Sequence, residues 1–190
     1  MVDFENDIKN CIRALESGGT ILYPTDTVWG LGCDALNEAA IDKIFAIKNR
    51  PKEKSLIILL AEAKDILRYV AAPHPDIIDI IEKFDRPTTV IYEHALEFPA
   101  NAVHENGSIA IRVTTDPFCK ALIKRLKKPI VSTSANLSGA PTAAIFKDVD
   151  EVIKQNVDYV VHHRQDDETV AQPSRLIKLA DDGTMEILRP

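Results

Sequence analysis

The sequence predicts a mixed α/β (α+β) chain built on a twisted open sheet with flanking helices. Three observations carry that expectation. The continuous apolar run LIILL at 56–60 reads as a strand covered on both faces. Helical-period segments, beginning with Ile8, Cys11, Ile12 and Leu15, lie between such runs. Strands and helices do not alternate strictly, which argues against a regular doubly wound fold. With 190 residues, 45% of them hydrophobic, the chain can bury one sizeable core. A single domain over 1–190 is expected.

The first helical pattern should stop at Gly18-Gly19, where a left-handed residue is available, and TILYP (20–24) should follow as a strand. After a turn through Thr25, Asp26 and Thr27, Asn37 is placed to cap a helix with Ala40, Ile41, Ile44 and Phe45 on its apolar face, ending near Arg50-Pro51. LIILL is the next strand, helices are expected from about Glu62 and Asp76, and TTVIY (88–92) and SIAIRV (108–113) are further strands. Pro117 opens a helix that runs through Lys127, PIVST (129–133) is a strand, Asp148 and Glu151 read as a capping box, and VDYVV (157–161) is another strand. SRLIKL (174–179) and TMEILR (184–189) form a terminal hairpin around Asp181-Asp182-Gly183.

A formal charge of -6 gives the whole molecule no general attraction to nucleic acid or anionic membrane, so any polyanion site must be local. Cys11, Cys33 and Cys119 are too few and too far apart for a disulfide framework or a structural zinc site, which fits a reducing cytoplasm. The acidic N-terminal stretch is no targeting signal, and no apolar run is long enough to span a membrane.

Chemistry-bearing residues concentrate in a few places. In IKNRPKEKSL, Lys48, Arg50, Lys52 and Lys54 alternate between a helix and a buried strand, so they can converge on one anion; a solvated basic loop is the alternative. Lys120, Lys124, Arg125, Lys127 and Lys128 make a second cationic cluster, on an amphipathic surface helix without interleaved aromatics to stack bases. Arg112 lies within an apolar strand pattern and requires an anionic partner, from the protein or from a ligand. GLGCDA (30–35) matches a dinucleotide fingerprint only formally, and His162-His163 has no further ligand at metal spacing. In VSTSANLSG (131–139), four of nine residues carry hydroxyls directly after a strand, which is either a turn or the wall of a polar cleft.

Taken in order and spacing, YPTDTVWGLGCDA, IFAIKNRPKEKSL, SIAIRV and VSTSANLSGAPT resemble the YrdC-like threonylcarbamoyl-adenylate synthases from about Gly18 to Arg189. The resemblance implies an open α/β sheet with a large central cleft. It also implies an enzyme that joins ATP, L-threonine and bicarbonate or carbon dioxide into threonylcarbamoyl-adenylate and pyrophosphate, for modification of adenosine in tRNA. It assigns Lys48 and Arg50 as the catalytic cations on the ATP phosphates, with Lys54, Ser108, Ser134, Asn136, Thr142 and Arg189 also toward ATP. Thr27, Arg112 and Ser174 fall at threonine-binding positions, with Arg112 on the carboxylate. Mg²⁺ is expected with the ATP, with no dedicated protein metal site; tRNA or tRNA-modification proteins are expected as partners and no membrane is. Two positions depart from the family pattern: Leu59, where many members carry His, and KFDRPTT (83–89), which lacks the glycine of a Trp-Pro-Gly-Pro-like turn. The alternatives are a carbamoyl-adenylate-forming enzyme that uses carbamoyl phosphate, and a non-catalytic double-stranded RNA-binding module contacting RNA through the 120–128 helix.

Overall fold

In a computed structural model, which describes residues 4–49, 56–180 and 182–190, the first helix, α1, covers Glu5–Glu16 and buries Ile8, Cys11 and Leu15. Gly18 beyond it has φ +73°, the left-handed turn that glycine supplies. Helix α2 (Glu38–Lys48) is capped by Asn37, whose side chain accepts from Ala40 N at 3.1 Å, and it stops at Asn49 in a left-handed conformation. Helix α5 (Pro117–Leu126) starts on Asp116, which accepts from Cys119 N at 2.9 Å, and ends at a left-handed Lys127.

Three expected helices differ. The segment after Glu62 forms a 3₁₀ turn and the short α3 (Ile66–Tyr69), and α4 spans only Ile77–Glu82. The cap of α6 (Glu151–Asn156) is Asp150, which accepts from Val152 N at 2.8 Å; Asp148 belongs to the preceding 3₁₀ turn, so no capping box forms with Glu151. Local carboxylates compete for the same free N–H groups, and the residue adjacent to the first turn takes them.

The sheet comprises β1 (Ile21–Tyr23), β2 (Gly30–Gly32), β3 (Ile57–Leu60), β4 (Thr88–Tyr92), β5 (Ile109–Val113), β6 (Ile130–Ser134), β7 (Tyr159–Val160), β8 (Arg175–Leu179) and β9 (Met185–Arg189). Their order is β7-β1-β2-β6-β3-β5-β4-β8-β9. The β1–β7, β3–β5 and β4–β8 pairs are parallel and the rest antiparallel, a mixed topology as expected.

Strand β2 was not foreseen, because two glycines in three residues disfavour a strand. They stand there for lack of room. A Cβ on Gly32 would lie 2.3 Å from the Val131 carbonyl and 2.7 Å from the Tyr23 ring, and one on Gly30 would press on Thr25, Tyr23 and Ser132 at 3.2–3.3 Å. GLG is thus a close-packed strand beside β6, not a phosphate-binding turn.

Candidate active site

Register fixes which residues share one face of the sheet. Ser132 pairs with Ile57, Ile57 with Ala110 and Ala110 with Ile91, a row running across β6, β3, β5 and β4. Two residues further along, Leu59 pairs with Arg112, Arg112 with Thr89, Thr89 with Leu176 and Leu176 with Arg189. Side chains two apart on a strand face the same way, and members of both rows line a cleft of about 250 Å³. That enclosed volume lies just below the usual range for ligand sites, which starts at about 300 Å³, so it suits a small reactant with a larger one extending outward. The floor is apolar (Ile57, Ala110, Ile91, Leu176), and Thr27, Ser132, Ser134, Thr142, Ser174, Arg112 and Arg189 supply the polar groups.

Arg112 is 3% exposed. The anion its burial demanded is Asp26, with Oδ1 at 3.1 Å from Nη2 and a side chain only 7% exposed. Asp26 is held in turn by the Thr114 hydroxyl and the Thr115 N–H, both donating to Oδ2 at 3.1 Å. The Asp26–Arg112 contact is electrostatic and poorly aligned: Nε and Nη2 of Arg112 and Oδ1 of Asp26 are buried and lack hydrogen-bond partners. Asp26 thus compensates the charge of Arg112 without a well-aligned hydrogen bond, and Arg112 itself lines the cleft.

Arg189 reaches the same cleft because of an irregularity in β9. Leu176 pairs with Arg189 while Ile177 pairs with Ile187, so Leu188 is an extra residue, and the bulge turns Arg189 onto the cleft face where regular pairing would have put Leu188. Its Nε donates to the Ser174 carbonyl at 3.0 Å and its Nη2 to the Ser174 hydroxyl at 3.3 Å. Ser174, buried, also shares a 2.8 Å hydrogen bond with Thr89. Partial burial, and then repulsion from Arg112, lower the Arg189 pKa below the usual guanidinium value. Two cations facing one cavity make it a site for anions.

The opposite wall is built by the β1–β2 turn and the end of β6. The Thr25 hydroxyl donates to the Val28 carbonyl at 2.8 Å, so the 3.0 Å contact between Thr25 and Thr27 is donated by Thr27. Trp29 packs on Phe146 with ring centroids 4.8 Å apart. Arg164, in a left-handed conformation, donates to the Thr25 carbonyl at 2.9 Å and stands 3.1 Å from Asp116, locking the base of this turn.

Of the residues singled out from sequence, the cleft unites Thr27, Arg112, Ser134, Thr142, Ser174 and Arg189. Lys48 lies behind that wall: it is 1% exposed, and its Nζ donates to the main-chain carbonyls of Ser134 and Asn136. The Asn136 amide bonds within its own turn, donating to Leu137 O at 3.0 Å and Ala140 O at 2.8 Å. Ser108 is not on the cleft wall, and its hydroxyl donates to Asn106 at 2.7 Å. Arg50, Lys52 and Lys54 lie outside the described residues. Ser132 belongs to the hydroxyl-rich stretch read as a possible cleft wall, whereas Asp26 and Leu176 were missed as site residues; only the cost of burying Arg112 pointed to the first.

The second cationic cluster is largely neutralised by carboxylates. Lys124 meets Glu62 at 2.5 Å, Arg125 meets Glu5 at 2.5 Å and Lys128 meets Asp34 at 2.6 Å. His162 and His163 give their main-chain N–H groups to Asp7, and no group of three metal-ligating side chains occurs among the described residues. No helix among them is long and apolar enough to cross a membrane.

Comparison with known proteins gives a consistent picture. Residues 13–190 match the Sua5/YciO/YrdC family profile, described as telomere recombination. The threonylcarbamoyl-AMP synthase of Pseudoalteromonas translucida is 36% identical over 160 residues, covering 83% of this chain and 86% of that protein. That of Xanthomonas euvesicatoria pv. vesicatoria is 36% identical over 176 residues, with 90% and 91% covered. The crystal structure of P. abyssi Sua5 complexed with L-threonine superimposes with a TM-score of 0.85 at 25% identity, over 98% of this chain and 54% of that one. This chain thus spans about half the length of that Sua5 chain.

Proposed function

The chain belongs to the Sua5/YciO/YrdC family, and on that footing we propose that it is a threonylcarbamoyl-AMP synthase, joining L-threonine, bicarbonate or carbon dioxide, and ATP into threonylcarbamoyl-AMP and pyrophosphate. One observation carries the reading most directly: the guanidinium of the buried Arg112, charge-compensated by Asp26, belongs to a residue that lines the same cleft as Arg189. A planar fork of this kind matches a carboxylate bidentately, so the threonine carboxylate is its natural occupant. Thr27 and Ser174 flank that position. Ser134, Thr142 and Arg189 face the nucleotide, and Arg50 and Lys54 act on the triphosphate.

The chemistry needs no covalent enzyme nucleophile. The threonine amine attacks the carbon of CO₂ and loses a proton, giving a carbamate. A carbamate oxygen then attacks the α-phosphorus, and the bond to the bridging oxygen breaks as pyrophosphate departs with its electron pair. Negative charge accumulates on the phosphoryl oxygens, where fixed cations and aligned donors act through positioning and electrostatics. Among the described residues the cleft walls offer hydroxyls and guanidinium groups and no carboxylate, which suits Mg²⁺ carried on substrate phosphates, where Ser134 or Thr142 would contact it. Bound there, the ion would neutralise phosphate charge. The product serves adenosine modification in tRNA, in the cytoplasm.

Supplying ¹³C-bicarbonate with ATP and L-threonine tests this by mass spectrometry. Labelled threonylcarbamoyl-AMP is the expected product; formation of AMP alone, or of an adenylate without the label, contradicts the proposal.

A further inference from the structure

Lys48 occupies the last position of α2 and is among the largest fully buried side chains of the protein. Burying an ammonium is expensive unless its donors are satisfied. Its Nζ donates to the Ser134 carbonyl and, at 2.6 Å, to the Asn136 carbonyl. Its own carbonyl accepts from Ser138 N at 2.9 Å. The end of α2 thus holds the turn after β6 at three main-chain points.

Peptide geometry gives the consequence. Carbonyl and N–H of a trans peptide point in opposite directions, so drawing the Asn136 carbonyl onto Lys48 turns the Leu137 N–H away from it. The Ser134–Ala135 peptide, whose carbonyl also meets Lys48, is fixed on its other side too, because Ala135 N donates to the Trp29 carbonyl at 2.9 Å. Ser134 lines the cleft, whereas Lys48 is not among the described residues that do.

We propose that Lys48 is a positioning residue: its ammonium fixes the Ser134–Leu137 turn, presenting the Ser134 hydroxyl and the Leu137 N–H to the nucleotide, and does not itself hold phosphate. The inference rests on the nucleotide-binding reading of the cleft.

Calorimetric titration of ATP and AMP into wild type, Lys48→Met and Lys48→Gln separates the possibilities. Methionine removes both charge and donors; glutamine removes the charge but keeps an NH₂ directed at the same carbonyls. The Met variant should weaken ATP and AMP by the same factor, roughly ten-fold or more, and the Gln variant should recover most of that loss. If both variants lose affinity equally, or ATP suffers far more than AMP, Lys48 contacts phosphate and the proposal is overturned. Should a variant not fold, the wild-type protein decides: in a crystal with a non-hydrolysable ATP analogue, Nζ should stay on the Ser134 and Asn136 carbonyls, and its transfer to a phosphate overturns the proposal. Absence of any ATP binding by wild type would remove the nucleotide reading itself, and the role of Lys48 with it.

Discussion

Arg112 and Asp26 meet 3.1 Å apart in the interior, 3% and 7% exposed, across 86 residues of sequence. Each is tolerable there only because of the other, and Arg112 also lines the cleft.

Removing one partner of such a pair strands the other. Asp26→Asn should therefore lower unfolding free energy by about 3–5 kcal/mol in urea titrations and weaken threonine binding as well. Arg112→Lys keeps the charge and loses the fork, so it should cost less stability while reducing threonine affinity at least about ten-fold. Threonine binding unaltered by Arg112→Lys would remove Arg112 from the carboxylate site.

Arg189 should show the reverse pattern. It is oriented by the Leu188 bulge and repelled by Arg112, so Arg189→Ala should change stability by less than about 0.5 kcal/mol while raising the KM of ATP or threonine. Deleting Leu188 restores regular pairing with Arg189 still opposite Leu176 on the cleft face, so that variant should keep KM values close to wild type. Steady-state kinetics on both variants, alongside melting curves, makes the comparison.

The cationic cluster of α5 should report on stability and not on RNA. Lys128 neutralises Asp34, whose side chain is 5% exposed, so Lys128→Ala should destabilise the fold by about 1–2 kcal/mol, between the values for exposed and buried pairs. Filter binding of double-stranded RNA should be weak and unaffected by this change. Tight, salt-sensitive binding abolished by it would favour a nucleic-acid module.

Acid unfolding should involve Asp7. Burial alone would raise its pKa, but the Tyr159 hydroxyl at 2.5 Å and the N–H groups of His162 and His163 at 3.1 and 2.9 Å outweigh that and hold it below the ordinary value. A carboxylate with a lower pKa folded than unfolded stabilises the protein above the unfolded value of about 3.9, and that contribution disappears as pH falls through the folded value. The stability gap between wild type and Asp7→Asn should thus be widest above about pH 5 and close below about pH 4. A gap independent of pH would contradict this.

What the sequence made legible was local. Asn37 caps α2 as expected because a cap bonds to a residue three positions away, and α5 opens at Pro117 as expected. The need of Arg112 for an anion was also readable, since it follows from the cost of burial. Its partner was not, because nothing in the order of residues says that the β1–β2 turn folds against the end of β5. Strand β2 escaped for the same reason: its glycines answer to the Tyr23 ring and the Val131 carbonyl, which are neighbours only in the folded chain. Lys48 shows the limit most clearly. Its charge and spacing point to a phosphate, while its position behind the wall, bonded to Ser134 and Asn136, depends on how α2 packs beneath the turn after β6.

The most direct measurement is pyrophosphate release from ATP, followed while L-threonine and bicarbonate are omitted in turn. Release only when all three are present is the predicted result. Release without threonine, or with carbamoyl phosphate in place of threonine and bicarbonate, would contradict it.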